Sequence, residues 1–147
     1  MSEIREKTIE GIAVGTTFEI FRTFTADQVA DFAAISRDDN PIHSDPRFIA
    51  SKQMKGPICH GLLVASMLTE IGGQIGWLAS GMDMRFLKPV YIGETVRCVF
   101  TVDDIGPRNK AKASVRFYNQ DNELVLEARL TGILPNAQER DILRDLL

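Results

Sequence analysis

The run from Leu62 to Ala79 is apolar on nearly every side that a helix would present, and a soluble chain must enclose such a helix. Thr69, Glu70 and Gln74 interrupt it, as do Gly72, Gly73 and Gly76, so it reads as a buried helix rather than a bilayer span. Strand patterns lie on both sides of it in the chain. A curled antiparallel sheet wrapped around the helix would enclose it, which makes the expected class α+β.

The flanking segments supply that sheet. Residues 1–17 read as a polar arm leading to a strand at Phe18 to Phe24, with Phe18, Ile20 and Arg22 on one face. Thr25 followed three residues later by Gln28 is a capping-box pattern, and Val29, Phe32, Ala33 and Ile35 form an apolar stripe. Together they predict a helix from about Ala26 to Ile35. Pro41 closes off helical geometry before it, and Asp45-Pro46 opens a second, short helix with Phe48 and Ile49 inward. The long apolar helix then starts at His60 or Gly61 and runs to about Ala79.

After Gly81 the period changes. Asp83 to Leu87, Thr95 to Val102, Lys112 to Tyr118 and Leu124 to Leu134 alternate as strands, the last three joined by polar turns into a meander. Asn136 to Leu147 is a tail with an amphipathic pattern through Ile142, Leu143, Leu146 and Leu147. The 147 residues suit a single domain, 1–147, with its core at about 18–135. A sheet of this size has edges that one chain covers poorly, so a homodimer or higher homo-oligomer is expected.

The net charge of −3 and the dispersed Lys and Arg residues argue against nucleic-acid binding. Met1 to Gly15 has no apolar run of the signal-peptide kind, and no segment calls for a membrane. Cys59 and Cys98 lie in apolar sequence without metal spacing. They read as buried reduced thiols of a cytoplasmic protein, with a disulfide as the alternative.

Chemistry-bearing residues concentrate between Ser36 and Ser66, a stretch that holds both histidines. Asp38 and His43 are separated by Asn40-Pro41, a turn that folds the loop back so that carboxylate and imidazole can converge. Such a pair suits general acid–base work on a water. Gly61, opening the buried helix, leaves a backbone N–H without an obstructing side chain, a donor suited to an oxyanion. Plainer roles stand beside these. Asp38 and Asn40 can simply form a turn, His43 can be a structural histidine, His60 can fix the loop, and Ser66 can bond back to its own helix. Asp38, Asp39, His43 and Asp45 form an alternative metal cluster, although the spacing lacks a metal signature.

At these positions the sequence resembles the MaoC-like dehydratases, in particular the R-specific enoyl-CoA hydratases of the hotdog fold. Ser36, Asp38, Asn40, Pro41, Ile42, His43, Asp45 and Ala50 match the family's loop, as do His60-Gly61 and Ala65-Ser66 on the helix. Phe86, Pro89-Val90 and Gly93-Glu94 match a later feature, and the resemblance spans about Phe18 to Pro135. Arg37 departs from it, standing where the family carries glycine; a positive φ there would strain it, and otherwise it would lie at the pocket rim near the acyl-CoA phosphates.

The resemblance implies reversible addition of water to a trans-2-enoyl-CoA, giving the (R)-3-hydroxyacyl-CoA. Asp38 and His43 would act jointly as acid and base. Gly61 would receive the thioester oxygen with Ser66 nearby, while Asn40, Pro41 and His60 support the loop. It implies no metal and no cofactor beyond coenzyme A as part of the substrate. A hotdog thioesterase, with Glu70 as the one carboxylate on the central helix, and a non-catalytic acyl-CoA-binding subunit of a heteromeric dehydratase are the alternatives.

Overall fold

The structure, a computed structural model, describes residues 2–147. Its sheet has the strands β1 (Thr17–Thr23), β2 (Leu78–Phe86), β3 (Thr95–Ile105), β4 (Lys110–Tyr118) and β5 (Leu124–Ile133). They are arranged β1-β3-β4-β5-β2 with every neighbouring pair antiparallel. The helices are α1 (Glu3–Glu10), α2 (Ala26–Ser36), α3 (Pro46–Ser51), α4 (Gly61–Ala65), α5 (Met67–Ile75) and α6 (Ala137–Asp145).

β3 shows why the sheet has an inside. Val96, Cys98, Phe100 and Val102 are all fully buried, while the residues between them are partly exposed. β4 repeats this with Ala111, Ala113, Val115 and Phe117. On the opposite face, Asp83 pairs with Arg129 and Arg85 with Glu127, so unlike charges neighbour one another. Register shifts at Ala79/Gly81, Val102/Asp104 and Phe117/Tyr118 mark irregularities of the kind that bend and twist strands. The sheet therefore curls round the helix, as expected.

The central helix is α4 continued by α5. At their junction the Ser66 N–H is shared between Leu62 O (3.0 Å) and Leu63 O (3.2 Å), and Ser66 Oγ donates to Leu63 O at 2.6 Å. Such back-bonding tightens the turn and interrupts the α-pattern. Val64, Ala65, Met67, Leu68, Ile71 and Ile75 are buried against the sheet. One side stays open, at Leu62, Thr69, Glu70 and Gly73, so this chain alone does not enclose the helix all round.

Three sequence expectations need correction. The helix stops at Ile75 rather than near Ala79, because Gly76 takes a left-handed conformation (φ 72°) and the Trp77 N–H bonds to Gly72 O. Leu78 to Ser80 then open β2, which starts well before Asp83; an apolar run alone does not separate buried helix from strand. The expected arm at the N-terminus holds α1, since Ile4 packs on the core and Thr8 is fully buried. Arg5 also donates to Gln74 O and Gly73 O, the last carbonyls of α5. Among the described residues no helix is long and apolar enough to cross a membrane.

The other local readings hold. Thr25 and Gln28 form the capping box of α2, Pro46 opens α3 under the Asp45 cap, and β3, β4 and β5 form the meander. α6 occupies the tail, with Leu143 against Gly76 and with Ile142, Leu146 and Leu147 exposed. Both cysteines are buried and free, as read.

Arg37 is the C-cap of α2 and has φ 59° and ψ 24°, the left-handed region that glycine favours. That conformation costs a non-glycine residue roughly 1–2 kcal/mol. Arg37→Gly is expected to raise the free energy of unfolding by about 1 kcal/mol in urea denaturation, the glycine's greater unfolded freedom offsetting part of the gain. An unchanged or lowered midpoint at equal m-value would contradict the strain.

Candidate active site

The loop after α2 is shaped by short polar side chains that each close a turn two residues ahead. Ser36 Oγ donates to Phe32 O (2.7 Å) and accepts the Asp38 N–H (3.2 Å). Asp38 Oδ1 accepts the Asn40 N–H and Asn40 Oδ1 accepts the Ile42 N–H, both at 3.1 Å. Pro41 then begins a single 3-10 turn, Pro41–His43, anchored by buried Ile42. The result is the convergence read from the sequence: Asp38 Oδ2 lies 3.9 Å from His43 Nε2.

Hydrogen bonds set the tautomers of both histidines. His43 Nδ1 is 2.7 Å from Ile58 O. A carbonyl only accepts, so Nδ1 carries the proton and the neutral ring presents an unprotonated Nε2 toward Asp38. The His43 side chain is mostly buried, whereas the Asp38 carboxyl is half exposed. His60 is 2% exposed, and its Nε2 lies 3.1 Å from Asp38 O, so by the same argument Nε2 is its protonated nitrogen. Its ring stacks on that of His43, with centroids 3.7 Å apart and planes 26° from parallel. Among the described residues His60 Nδ1 has no hydrogen-bond partner.

Ligand atoms of Asp38, His43 and His60 fall within 4.8 Å of one another. Asp39 and Asp45 are not part of that group. The cluster suggested by the sequence is not assembled. Asp45 caps α3 and is tied to the Arg47 guanidinium, which holds its carboxyl below the usual carboxylate range, and Asp39 is exposed.

Gly61 begins α4, and its N–H has no hydrogen-bond partner among the described residues. The segment before it is held in place by the Ile58–Tyr91 bridge and by the Cys59 N–H on Val90 O at 2.7 Å. Space rather than a positive φ distinguishes Gly61: an added Cβ would lie 2.6 Å from the Phe86 ring at the end of β2, and that ring would have to shift. Asp38, His60, Gly61, Leu62 and Phe86 all line one cavity of about 630 Å³, which Val125 and Leu126 of β5 also line, whereas His43 stands behind Asp38 and His60 and is not among the lining residues.

Not every residue singled out in the sequence joins this group. Ser66 does not line the cavity; besides its bond to Leu63 O, it takes a long contact of 3.5 Å from Arg22. Arg22 is also paired with Glu70, so the helix carboxylate is engaged away from the cavity. Asn40 and Pro41 shape the loop. Burial pushes the Cys59 thiol up to about 11, aided by Glu94, and the Cys98 thiol up to about 12, leaving neither a ready nucleophile. The close contact of His60 with both Asp38 and His43 was not legible in the sequence, nor was the part that Val125 and Leu126 play. These contacts are non-local, and only the proximity of His60 to Gly61 hinted at the first.

Comparison with known proteins agrees with this arrangement. The model of the MaoC like domain matches residues 11–123. The chain is 31% identical over 131 residues to the (R)-specific enoyl-CoA hydratase of Aeromonas caviae, covering 86% of this chain and 98% of that protein. It is also 31% identical over 141 residues to a mitochondrial 3-hydroxyacyl-[acyl-carrier-protein] dehydratase of Arabidopsis thaliana, covering 92% and 84% respectively. The solved (R)-hydratase of A. caviae superposes with a TM-score of 0.80 at 32% identity, over 84% of this chain and 98% of that one. The chain belongs to the MaoC-like dehydratase family and has its hotdog fold.

Proposed function

We propose that the protein is an (R)-specific enoyl-CoA hydratase that reversibly adds water to a trans-2-enoyl thioester. The observation that carries this reading is the 3.9 Å separation of Asp38 Oδ2 and His43 Nε2, with the Gly61 N–H on the same cavity as Asp38. That gap is too long for a direct hydrogen bond but suits a shared water. A water bonded to both atoms at about 2.8 Å would subtend roughly 90° at its oxygen, close to its own H–O–H angle.

In this reading the thioester oxygen accepts the Gly61 N–H, which stabilises the enolate as charge develops. One member of the pair takes a proton from the water while its oxygen bonds to C3. The π electrons move toward the thioester oxygen, and the pair, which now holds the proton taken from the water, delivers it to C2. The balance is neutral, so no redox group is required and the coenzyme A is only the substrate's handle. Asp38 and His43 are assigned jointly as catalytic residues. Both lie to one side of the bound water, which favours addition of O and H to the same face of the double bond. A thioesterase reading would need Glu70 as a free carboxylate, whereas it is paired with Arg22.

The assembly we propose is a homodimer of single-domain chains, in the cytoplasm as two buried free thiols suggest. β2 is a sheet edge, and Met82 and Phe86 pair with Leu130 and Leu126 on the face toward the helix. Both remain exposed nonetheless, at 46% and 55%. Apolar side chains that face inward yet stay uncovered call for a second copy.

Crotonyl-CoA should lose its enoyl absorbance with the wild-type protein, and Asp38→Asn and His43→Ala should each lower kcat by about 10²–10⁴-fold while keeping the fold by circular dichroism. No loss of absorbance, variants equal to wild type, or release of free thiol instead would each sink the reading. Light scattering should give twice the 16.4 kDa chain mass, falling to one chain mass for Met82→Lys. A monomeric wild type at micromolar concentration would reject the dimer.

A further inference from the structure

We propose that His60 is a positioning residue for the Asp38–His43 pair, acting as a neutral imidazole protonated on Nε2. The proposal rests on the hydration reading above. His60 touches both members. Its Nε2–H donates to the Asp38 carbonyl at 3.1 Å, and its ring lies against His43 at 3.7 Å. It is also joined through the backbone to Gly61, so one side chain registers the carboxylate, the imidazole and the oxyanion donor against each other.

Helix capping and packing alone do not call for a histidine here. His60 is the residue before the first turn of α4, where Ser, Thr, Asp or Asn would cap the helix, yet its side chain makes no cap hydrogen bond. Its site is nearly closed to solvent and is shared with the Phe32 ring, 4.9 Å away between centroids. An apolar side chain would fill such a place without leaving a buried nitrogen unsatisfied, as His60 Nδ1 is among the described residues.

Neutrality follows from the chemistry. Whenever His43 holds the proton taken from water it is an imidazolium, and a second cationic ring stacked on it would oppose that transfer. A neutral His60 keeps the stack attractive through the cycle. Its bond to the Asp38 carbonyl meanwhile holds the turn that aims Oδ2.

Two substitutions separate the parts of this role. His60→Phe keeps a flat ring and loses the donor, while His60→Gln keeps an amide donor and loses the ring. Each should lower kcat for crotonyl-CoA hydration by about ten- to a hundredfold, with KM within about twofold, if geometry alone is lost. The chain has only two histidines, so ¹⁵N imidazole spectra resolve both. In the wild type, His60 should be protonated on Nε2 and His43 on Nδ1 while neutral. In His60→Phe the His43 ring should stay protonated on Nδ1 through Ile58 O, but its ¹⁵N and ring ¹H signals should shift as the Asp38 turn loses its donor, a readout that does not depend on turnover and so separates this proposal from the hydratase reading. Wild-type His60 protonated on Nδ1, or folded variants with unchanged kcat and unchanged His43 signals, would overturn it. Should neither variant fold, the wild-type spectrum decides.

Discussion

Enclosure of the helix from Gly61 to Ile75 in the curve of the sheet is the constraint on which the other features depend. Met67, Ile71 and Ile75 are completely buried there, and each such side chain contributes on the order of 1.5–3 kcal/mol. Because the helix is held so firmly, its first residue is fixed in space, and with it the Gly61 N–H. The preceding segment is fixed too, by Cys59 on Val90 and by Ile58 beside Tyr91. The Ile58 carbonyl then orients the His43 ring, so the core sets the tautomer of a group in the candidate site. Packing and chemistry are linked by a single hydrogen bond.

The loop from Ser36 to His43 solves a different problem. It has no sheet or helix ladder of its own, so Ser36, Asp38 and Asn40 supply side-chain acceptors at every second residue. One consequence is that Asp38 Oδ1 is occupied locally, and Oδ2 is the oxygen that faces His43. The strained Arg37 lies at the entry to this loop, where the backbone must turn out of α2. Rigidity and strain therefore meet within a few residues of the Asp38–His43 pair.

Much of this was legible because the signals are local. The Thr25–Gln28 box, the Asn40-Pro41 turn and the Asp45-Pro46 start are short patterns whose geometry follows from side chains within three residues of one another. The alternation of Thr95 to Val102 was equally plain. What escaped the reading was non-local. The end of the central helix is not marked in the sequence, because Trp77, Leu78 and Ala79 are apolar in either a helix or a strand, and only the left-handed Gly76 decides between them. α1 is hidden in the sequence because its charged residues conceal a narrow stripe of Ile4 and Thr8 that has meaning only against α5 and α6. Ser66 was placed with the site by resemblance, and the fold gives its hydroxyl to Leu63 and Arg22 instead.

The central claim is that Asp38 and His43 act together, from one side, on a water beside an enoyl thioester held at Gly61. Hydration of crotonyl-CoA in D₂O tests it most directly, with the product analysed by NMR and on a chiral column. The account predicts (R)-3-hydroxybutyryl-CoA with a single deuterium at C2, added to the same face as the hydroxyl. An (S) product, or deuterium delivered to the opposite face, would contradict it.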